Sequence, residues 1–351
     1  MRVLIIKTSS MGDIIHALPV LDYLHRAAPG IEIGWVVEEN FAGLLAGNPL
    51  LSQLHVIATR RWRKSLCSCR TRREIAASIR ELRSCNYDLA FDIQGNIKSG
   101  IICLASGVKT RIGLPRQLLQ ESFNALCTTV KAPLVPENGK HVIPRYLSVV
   151  RVPFELEYHN LELASHIPTS IAEDAAARAC LSRLEPGRKV LFHCGTTWQT
   201  KFWSPEGWME LGRLVCNAFP DATLLFSWGS DSEMKTVSEI ASKIGERAVV
   251  LERLSLKGLT ALLKQVDLVV GGDTGPVHLA AAVGTPTVSL YRASDGEYSG
   301  PRGKRHVIVQ SPLECTRCFH TTCARDEECR ASITPTAMLE GIQRLLGPQD
   351  Y

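Results

Sequence analysis

The sequence predicts an α/β protein made of two doubly wound domains. Short continuous apolar runs such as Val3–Ile6 lack the alternation of a half-solvated strand and so belong to a buried parallel sheet. Segments with apolar residues at helical spacing separate such runs. The length, 351 residues, is that of two domains.

In chain order, Val3–Ile6 is the first strand and Lys7–Asp13 the loop after it. A helix follows, with Ile14, Ala17, Leu18, Leu21 and Leu24 at helical spacing, ending near Pro29-Gly30. Ile31–Val37 and Leu89–Ile93 are further strands, the latter ending in the turn Gln94-Gly95-Asn96. The first domain is placed at residues 1–165, with the polar stretch His159–Asp174 as the crossing. The second, residues 166–334, opens with a helix from Ile171 to Leu184. Strands at Lys189–His193, Ala222–Ser227 and Asp267–Val270 follow. Residues 335–351 carry a last helix with Met338, Ile342, Leu345 and Leu346 on one face, a candidate to cross back to the first domain.

Composition is that of a globular protein, with 45% hydrophobic residues. No apolar run reaches the roughly 18 residues that span a bilayer. The opening MRVLIIKTSS has too short an apolar run for a signal peptide and reads as a strand. The 12 cysteines are scattered, so reduced thiols in a cytoplasmic protein are expected. Net charge is +5 but unevenly spread. Seven basic residues and no acidic one lie between Arg60 and Arg73, and removing them from the 40 Lys and Arg leaves 33 against 35 acidic residues. The excess is thus a local patch, suited to phosphates, acidic lipids or nucleic acid.

The chain is organised around Gly271–Pro286, GGDTGPVHLAAAVGTP. Apolar strands flank it, and an Ala-rich helix is expected from Pro276 to Val283. A glycine turn between strand and helix aims backbone N–H groups and the positive helix end at a guest, most often a phosphate. Asp273, Thr274 and His278 flank that position; the plainer alternative is a capped turn with His278 on the helix surface. Neither G-x-G-x-x-G nor a P-loop is present, which argues against a dinucleotide dehydrogenase or a P-loop NTPase.

Four other stretches are candidates for chemistry. Asp13, after Thr8-Ser9-Ser10-Met11-Gly12, is either a helix N-cap or a general base. Thr196, Thr197 and Lys201, after the first strand of the second domain, suit a diphosphate or form a solvated loop; Trp203 reads as core. Around Phe226–Glu233 a carboxylate is placed to accept ribose hydroxyls, against a simple cap by Asp231. Cys315, Cys318, Cys323 and Cys329, with His320 among them, lack a second C-x-x-C, so a reduced surface excursion is favoured over a zinc site.

Taken together, MRVLIIKTSSMGDIIHALP, GWVVEENFA, RRWRK at 60–64, NYDLAFDIQGNIKSG, HCGTTWQTKFWSPEGW, SWGSDSEM and GGDTGPVHLAAAVGTPTVSLY resemble the heptosyltransferases of lipopolysaccharide core assembly, most closely heptosyltransferase I. The likeness runs from residue 1 to about 295. It implies a GT-B fold, two Rossmann-like domains facing across a cleft. It implies an inverting enzyme without cofactor or metal, taking ADP-heptose as donor and the Kdo of a Kdo-lipid A as acceptor. Such an enzyme is cytoplasmic and peripheral to the inner membrane. The family's catalytic aspartate falls on Asp13. Its nucleotide contacts fall on Thr196, Thr197, Lys201, Asp273, Thr274, Gly275 and His278, and its ribose-contacting glutamate on Glu233. Its acceptor cluster falls on Arg60, Arg61 and Lys64, which Arg63 joins. The Cys315–Cys329 segment and the stretch Arg111–Ala125 depart from the pattern. The competing readings are heptosyltransferase II, which adds the next heptose, and a nucleic-acid-binding protein using the basic run and the cysteines. Phosphate loops in both halves argue against the latter, and no nucleic-acid partner is expected.

Overall fold

The computed structural model describes residues 1–134 and 140–347. The chain divides into two compact units, Met1–Pro168 and Thr169 onward. The division falls three residues beyond the position read from the sequence, because the irregular stretch up to Pro168 packs on the first unit: Asn48 Nδ2 donates to His166 O (2.7 Å) and Ala164 N to Asp22 Oδ2 (2.8 Å).

In the first unit, β1 (Arg2–Ile6), β2 (Glu32–Glu38), β3 (Gln53–Ile57), β4 (Leu89–Asp92), β5 (Thr110–Gly113) and β6 (Val130–Lys131) form a parallel sheet in the order β3-β2-β1-β4-β5-β6. In the second, β7 (Lys189–His193), β8 (Thr223–Ser227), β9 (Ala248–Val250), β10 (Leu268–Gly272), β11 (Thr287–Tyr291) and β12 (His306–Gln310) repeat it as β12-β11-β10-β7-β8-β9. Both orders reverse direction beside their first strand. These switch points, β1/β4 and β7/β10, are where open α/β sheets bind ligands.

The strands are apolar throughout because helices cover both faces. Val3, Leu4, Ile5 and Ile6 of β1 are fully buried, as are Val190, Leu191 and Phe192 of β7. The helix expected after β1 is two, Met11–Ala17 and Pro19–Ala27, because Pro19 has no N–H to continue the ladder. In the second unit Trp203 and Trp208 pack edge to face, centroids 4.9 Å apart, inside the core, where Trp203 Nε1 donates to Ile333 O (3.1 Å). The last helix, Pro335–Leu346, read from the sequence as a candidate to cross back, places Met338 and Ile342 in this same core.

One glycine holds a switch point closed. A Cβ on Gly271 would lie 2.6 Å from Val277 Cγ2 and 3.1 Å from His193 O, so only glycine lets the following helix seat against β10. Past β11, the buried Arg292 guanidinium bonds Phe202 O, Asp326 O (2.6 Å) and Asp326 Oδ1 (2.7 Å). It ties the Cys-rich excursion to the strand end.

Candidate active site

At the first switch point the loop after β1 enters the helix Met11–Ala17. Asp13 is the third residue of that helix rather than its cap. Its Oδ2 accepts from Ser10 N (3.0 Å) and Ser10 Oγ (2.8 Å), which fixes one oxygen. Its Oδ1 accepts from the Tyr146 hydroxyl (3.0 Å) and lies 3.6 Å from Lys7 Nζ. The lysine side chain is 1% exposed, its Nζ 4.5 Å from the Tyr146 ring centre. Asp13 itself stays 34% exposed. Burial pushes its carboxyl up, but the Lys7 ammonium and the Ser10 bonds outweigh this and hold it at about 2. The carboxylate is therefore ionised at neutral pH, ordered on one side and open on the other.

The β4 loop braces this arrangement. Gln94 Oε1 accepts from Thr8 N (2.7 Å) and Thr8 Oγ1 (2.9 Å), joining the two loops of the switch point. Buried Asp92 shapes the β4 turn by accepting from Gln94 N and Gly95 N (3.1 Å each), Ser99 Oγ (2.9 Å) and Asn124 Nδ2 (2.6 Å).

The basic cluster sits on the short helix Thr59–Arg63 and just past it. Buried Glu38, at the end of β2, holds the helix start by accepting from Thr59 N (3.1 Å) and Thr59 Oγ1, and pairs with Lys98 (3.1 Å). Arg60, Arg63 and Lys64 are exposed. Arg61 is exposed but engaged: its guanidinium lies 2.7 Å from Glu74 and 3.7 Å from Glu39. Glu74 also accepts from Trp62 Nε1 (2.9 Å) and Arg70 (3.1 Å), and these bonds draw its carboxyl down to about 2, Trp62's being the strongest.

At the second switch point, Lys201 Nζ on the β7 loop donates to Asp273 Oδ2 on the β10 loop. Asp273 Oδ1 lies 2.9 Å from His278 Nε2. The Asp273 side chain is 7% exposed. Burial pushes its carboxyl up, yet His278 and Lys201 together hold it well below the usual carboxylate range. The lysine head also lies 4.6 Å from the Trp198 ring centre. Thr274 occupies the N-cap of the helix Gly275–Ala282 without a side-chain capping bond, and Pro276 stands in its first turn. His278 is buried, not on the helix surface. Thr196 is half-buried and Thr197 exposed, both on the loop that carries Lys201.

Glu233 lies one strand over, at the start of the helix Asp231–Ile244, whose N-cap is Ser230 rather than Asp231. It accepts from Gly229 N (2.7 Å) and Ser230 N (3.1 Å). A Cβ on Gly195 would stand 2.4 Å from Glu233 Oε1, so the carboxylate rests on the β7 loop.

Within the second unit, then, Lys201, Asp273 and His278 meet directly, the helix start Thr274-Gly275 adjoins them, and Glu233 leans on the same loop. Lys7, Tyr146 and Gln94 were not singled out from the sequence. Lys7 reads in the sequence only as the first residue of the loop after the strand, and Tyr146 comes from a helix 133 residues beyond Asp13. In the Cys-rich excursion Arg325 lies 3.8 Å from Cys315 Sγ and 3.3 Å, through its N, from Cys323 Sγ. No three His, Cys, Asp or Glu among the described residues are disposed to hold a metal.

Two doubly wound units, each with charged groups gathered at its switch point, are the build of a GT-B glycosyltransferase. The chain belongs to glycosyltransferase family 9, the heptosyltransferases, whose family model matches residues 75–328. It is 35% identical to lipopolysaccharide heptosyltransferase 1 of Pseudomonas aeruginosa, over 92% of this chain and 87% of that one. It is 33% identical to the protein of the same name from Escherichia coli K12, over 90% and 95% respectively. Among solved structures it resembles E. coli heptosyltransferase WaaC with ADP, with a TM-score of 0.79, 28% identity and coverage of 98% and 99%.

Proposed function

We propose that the chain is an inverting heptosyltransferase that moves L-glycero-D-manno-heptose from ADP-heptose to the Kdo of a Kdo-lipid A acceptor. The carrying observation is the second switch point. A cationic Lys201 held by Asp273 stands beside an open helix start, the arrangement a departing diphosphate requires. The solved structures similar to it include WaaC with ADP and with ADP-2-deoxy-2-fluoro heptose. Relatives named heptosyltransferase 1 reach 35% identity, whereas those named heptosyltransferase 3 stand at 23–24%. E. coli heptosyltransferase II, at 20% identity, shares the fold.

In this reading the acceptor oxygen attacks the anomeric carbon from the face opposite the diphosphate. The new C–O bond forms as the bond to the phosphate oxygen breaks, and ADP leaves with that electron pair. Asp13 takes the proton from the acceptor hydroxyl. With its carboxyl at about 2, it does so late, after bond formation has made that hydroxyl acidic. Lys201 and the N–H groups of the helix start Thr274-Gly275 receive the charge of the diphosphate, with Thr196 and Thr197 beside them, so that no metal is needed. His278 keeps Asp273 oriented toward Lys201. Glu233 accepts hydrogen bonds from the ribose. Arg60, Arg63 and Lys64 hold the phosphorylated acceptor, and Arg61 shapes their helix through Glu74.

No helix among the described residues is long and apolar enough to cross a membrane. A lipid-anchored acceptor therefore places the chain at the membrane surface, peripheral to the cytoplasmic side of the inner membrane. Mass spectrometry of the product tests the function: one heptose should be added to Kdo-lipid A given ADP-heptose. Extension of a heptosylated acceptor alone would move the chain to the second transfer.

A further inference from the structure

In the first unit a groove of about 650 Å³ opens between the helix Cys69–Ser84 and the helix Ile97–Ala105. Its size is that of a small-molecule site. Ile57 and Leu82, both buried, lie at its floor and belong to the core of the sheet. Ile79 and Trp62 line one side, Ile97 and Ile101 the other. Ile97 is 40% exposed and Ile101 57% exposed, so large aliphatic surface stands open to water. Arg60 and Arg63, from the proposed acceptor cluster, line the same groove.

We propose that this groove takes an acyl chain of the phosphorylated lipid acceptor, while Arg60 and Arg63 hold its anionic head. The inference rests on the acceptor named above and deepens it. Three features favour a hydrocarbon chain. First, few polar side chains line it, and two of them are already engaged: Ser78 Oγ donates to Glu74 O (3.1 Å), and Asn96 Oδ1 accepts from Ser99 N (2.9 Å). An occupant thus needs no hydrogen bonds along its length, which fits methylenes and not a peptide backbone. Second, the charged side chains that line it are Arg60, Arg63, Lys98 and Glu121, a cationic balance. Lys98 is paired with Glu38, which leaves two arginines against the one carboxylate of Glu121 and an excess of positive charge to face an anion. Third, cation and apolar wall are joined in one short helix, Thr59–Arg63, whose Trp62 lines the groove between the two arginines. That is the pattern an amphiphile with an acidic head would match.

The test compares kcat/KM for two acceptors with the same Kdo and phosphate head, one acylated and one fully deacylated, both in detergent. The wild-type chain should favour the acylated acceptor, by roughly fourfold per methylene buried. Ile101→Glu places a charge at an exposed wall position and leaves the core untouched. It should bring the acylated acceptor down toward the deacylated one and leave the latter unchanged. A bromine-tagged fatty acid should quench wild-type fluorescence, and less so in Trp62→Phe. Equal kcat/KM for both acceptors in the wild type, or equal losses in Ile101→Glu, would overturn the proposal. So would a variant that loses only vesicle binding, which would make the groove a membrane-docking face instead. Absence of heptose transfer to either acceptor by the wild type would instead overturn the functional reading, a different result from transfer without chain preference.

Discussion

Lys7 Nζ lies 3.6 Å from Asp13 Oδ1, and the lysine is buried whereas the aspartate reaches solvent. A buried ammonium thus fixes the charge of a partly open carboxylate from behind. Burial draws the Lys7 ammonium down, while Asp13 and Asp92 act the other way. The carboxylate keeps a free approach for substrate.

Lys7→Met tests this. A carboxyl whose folded value lies below its ordinary 3.8 stabilises the fold above 3.8, and that contribution is lost as pH falls through about 2. Without Lys7, burial is the strongest influence on Asp13 and it acts upward. The acid limb of kcat/KM should therefore move to higher pH in Lys7→Met, with circular dichroism confirming the fold. An acid limb that stays in place would detach Lys7 from Asp13's chemistry.

Asp13→Asn keeps the side-chain size and its bond from Ser10 N. The variant should fold and bind ADP-heptose as before, while kcat falls by roughly 10²–10⁴. Near-normal turnover in the folded variant would leave Asp13 with a structural role only, through its bonds to Ser10 and Tyr146.

Lys201→Ala removes the cation and releases Asp273. Catalytic efficiency should drop by about 1.5–3 kcal/mol, the worth of a charge-assisted bond. Calorimetry should show ADP losing more affinity than adenosine. Equal losses would move Lys201 away from the phosphates.

Gly195→Ala aims at the other end of the nucleotide. Its methyl would meet the Glu233 carboxylate, the flexible end of a side chain, so the fold should tolerate it while the carboxylate shifts. ADP and adenosine should weaken alike, by roughly tenfold, as for one lost charged hydrogen bond. Unchanged adenosine binding would remove Glu233 from the ribose.

Neutralising Arg60 and Lys64 together should raise the acceptor KM and flatten its salt dependence, because exposed charges are screened over about 8 Å at physiological ionic strength. Donor affinity should hold, and a fall in ADP-heptose binding would contradict the assignment. Arg61 is the poorer probe, since its loss also frees Glu74.

Much of this fold is legible in the sequence because parallel strands are continuous apolar runs. Lys189–His193, Thr287–Tyr291 and the final helix Pro335–Leu346 stand where periodicity puts them. The glycine turn at 271–275 is legible for the same local reason. The meeting of Lys201 with Asp273 is less so, because it spans 72 residues and depends on β7 and β10 being neighbours. Tyr146 on Asp13 and Glu74 on Arg61 have no local signal at all. Each comes from a helix whose packing, not its spacing, brings it there. Pro19 shows the reverse: the residue that divides the first helix is visible, yet the apolar spacing runs through it.

The anchoring of Arg292 divides the Cys-rich excursion into a part held by ordinary hydrogen bonds and a part that holds a buried charge. Cys315 and Cys323 are exposed and sit on the outer arc, whereas Asp326 supplies the counter-charge for a guanidinium with no access to water. Trimming the arc short of Arg325 gives up ordinary hydrogen bonds, such as Phe319 N to Ala293 O (2.8 Å) and Thr316 Oγ1 to Arg292 O. Beyond that point it strands a buried cation, at a cost of about 3–5 kcal/mol. Length variation among homologous chains should therefore stop short of this aspartate, whatever the cysteines do.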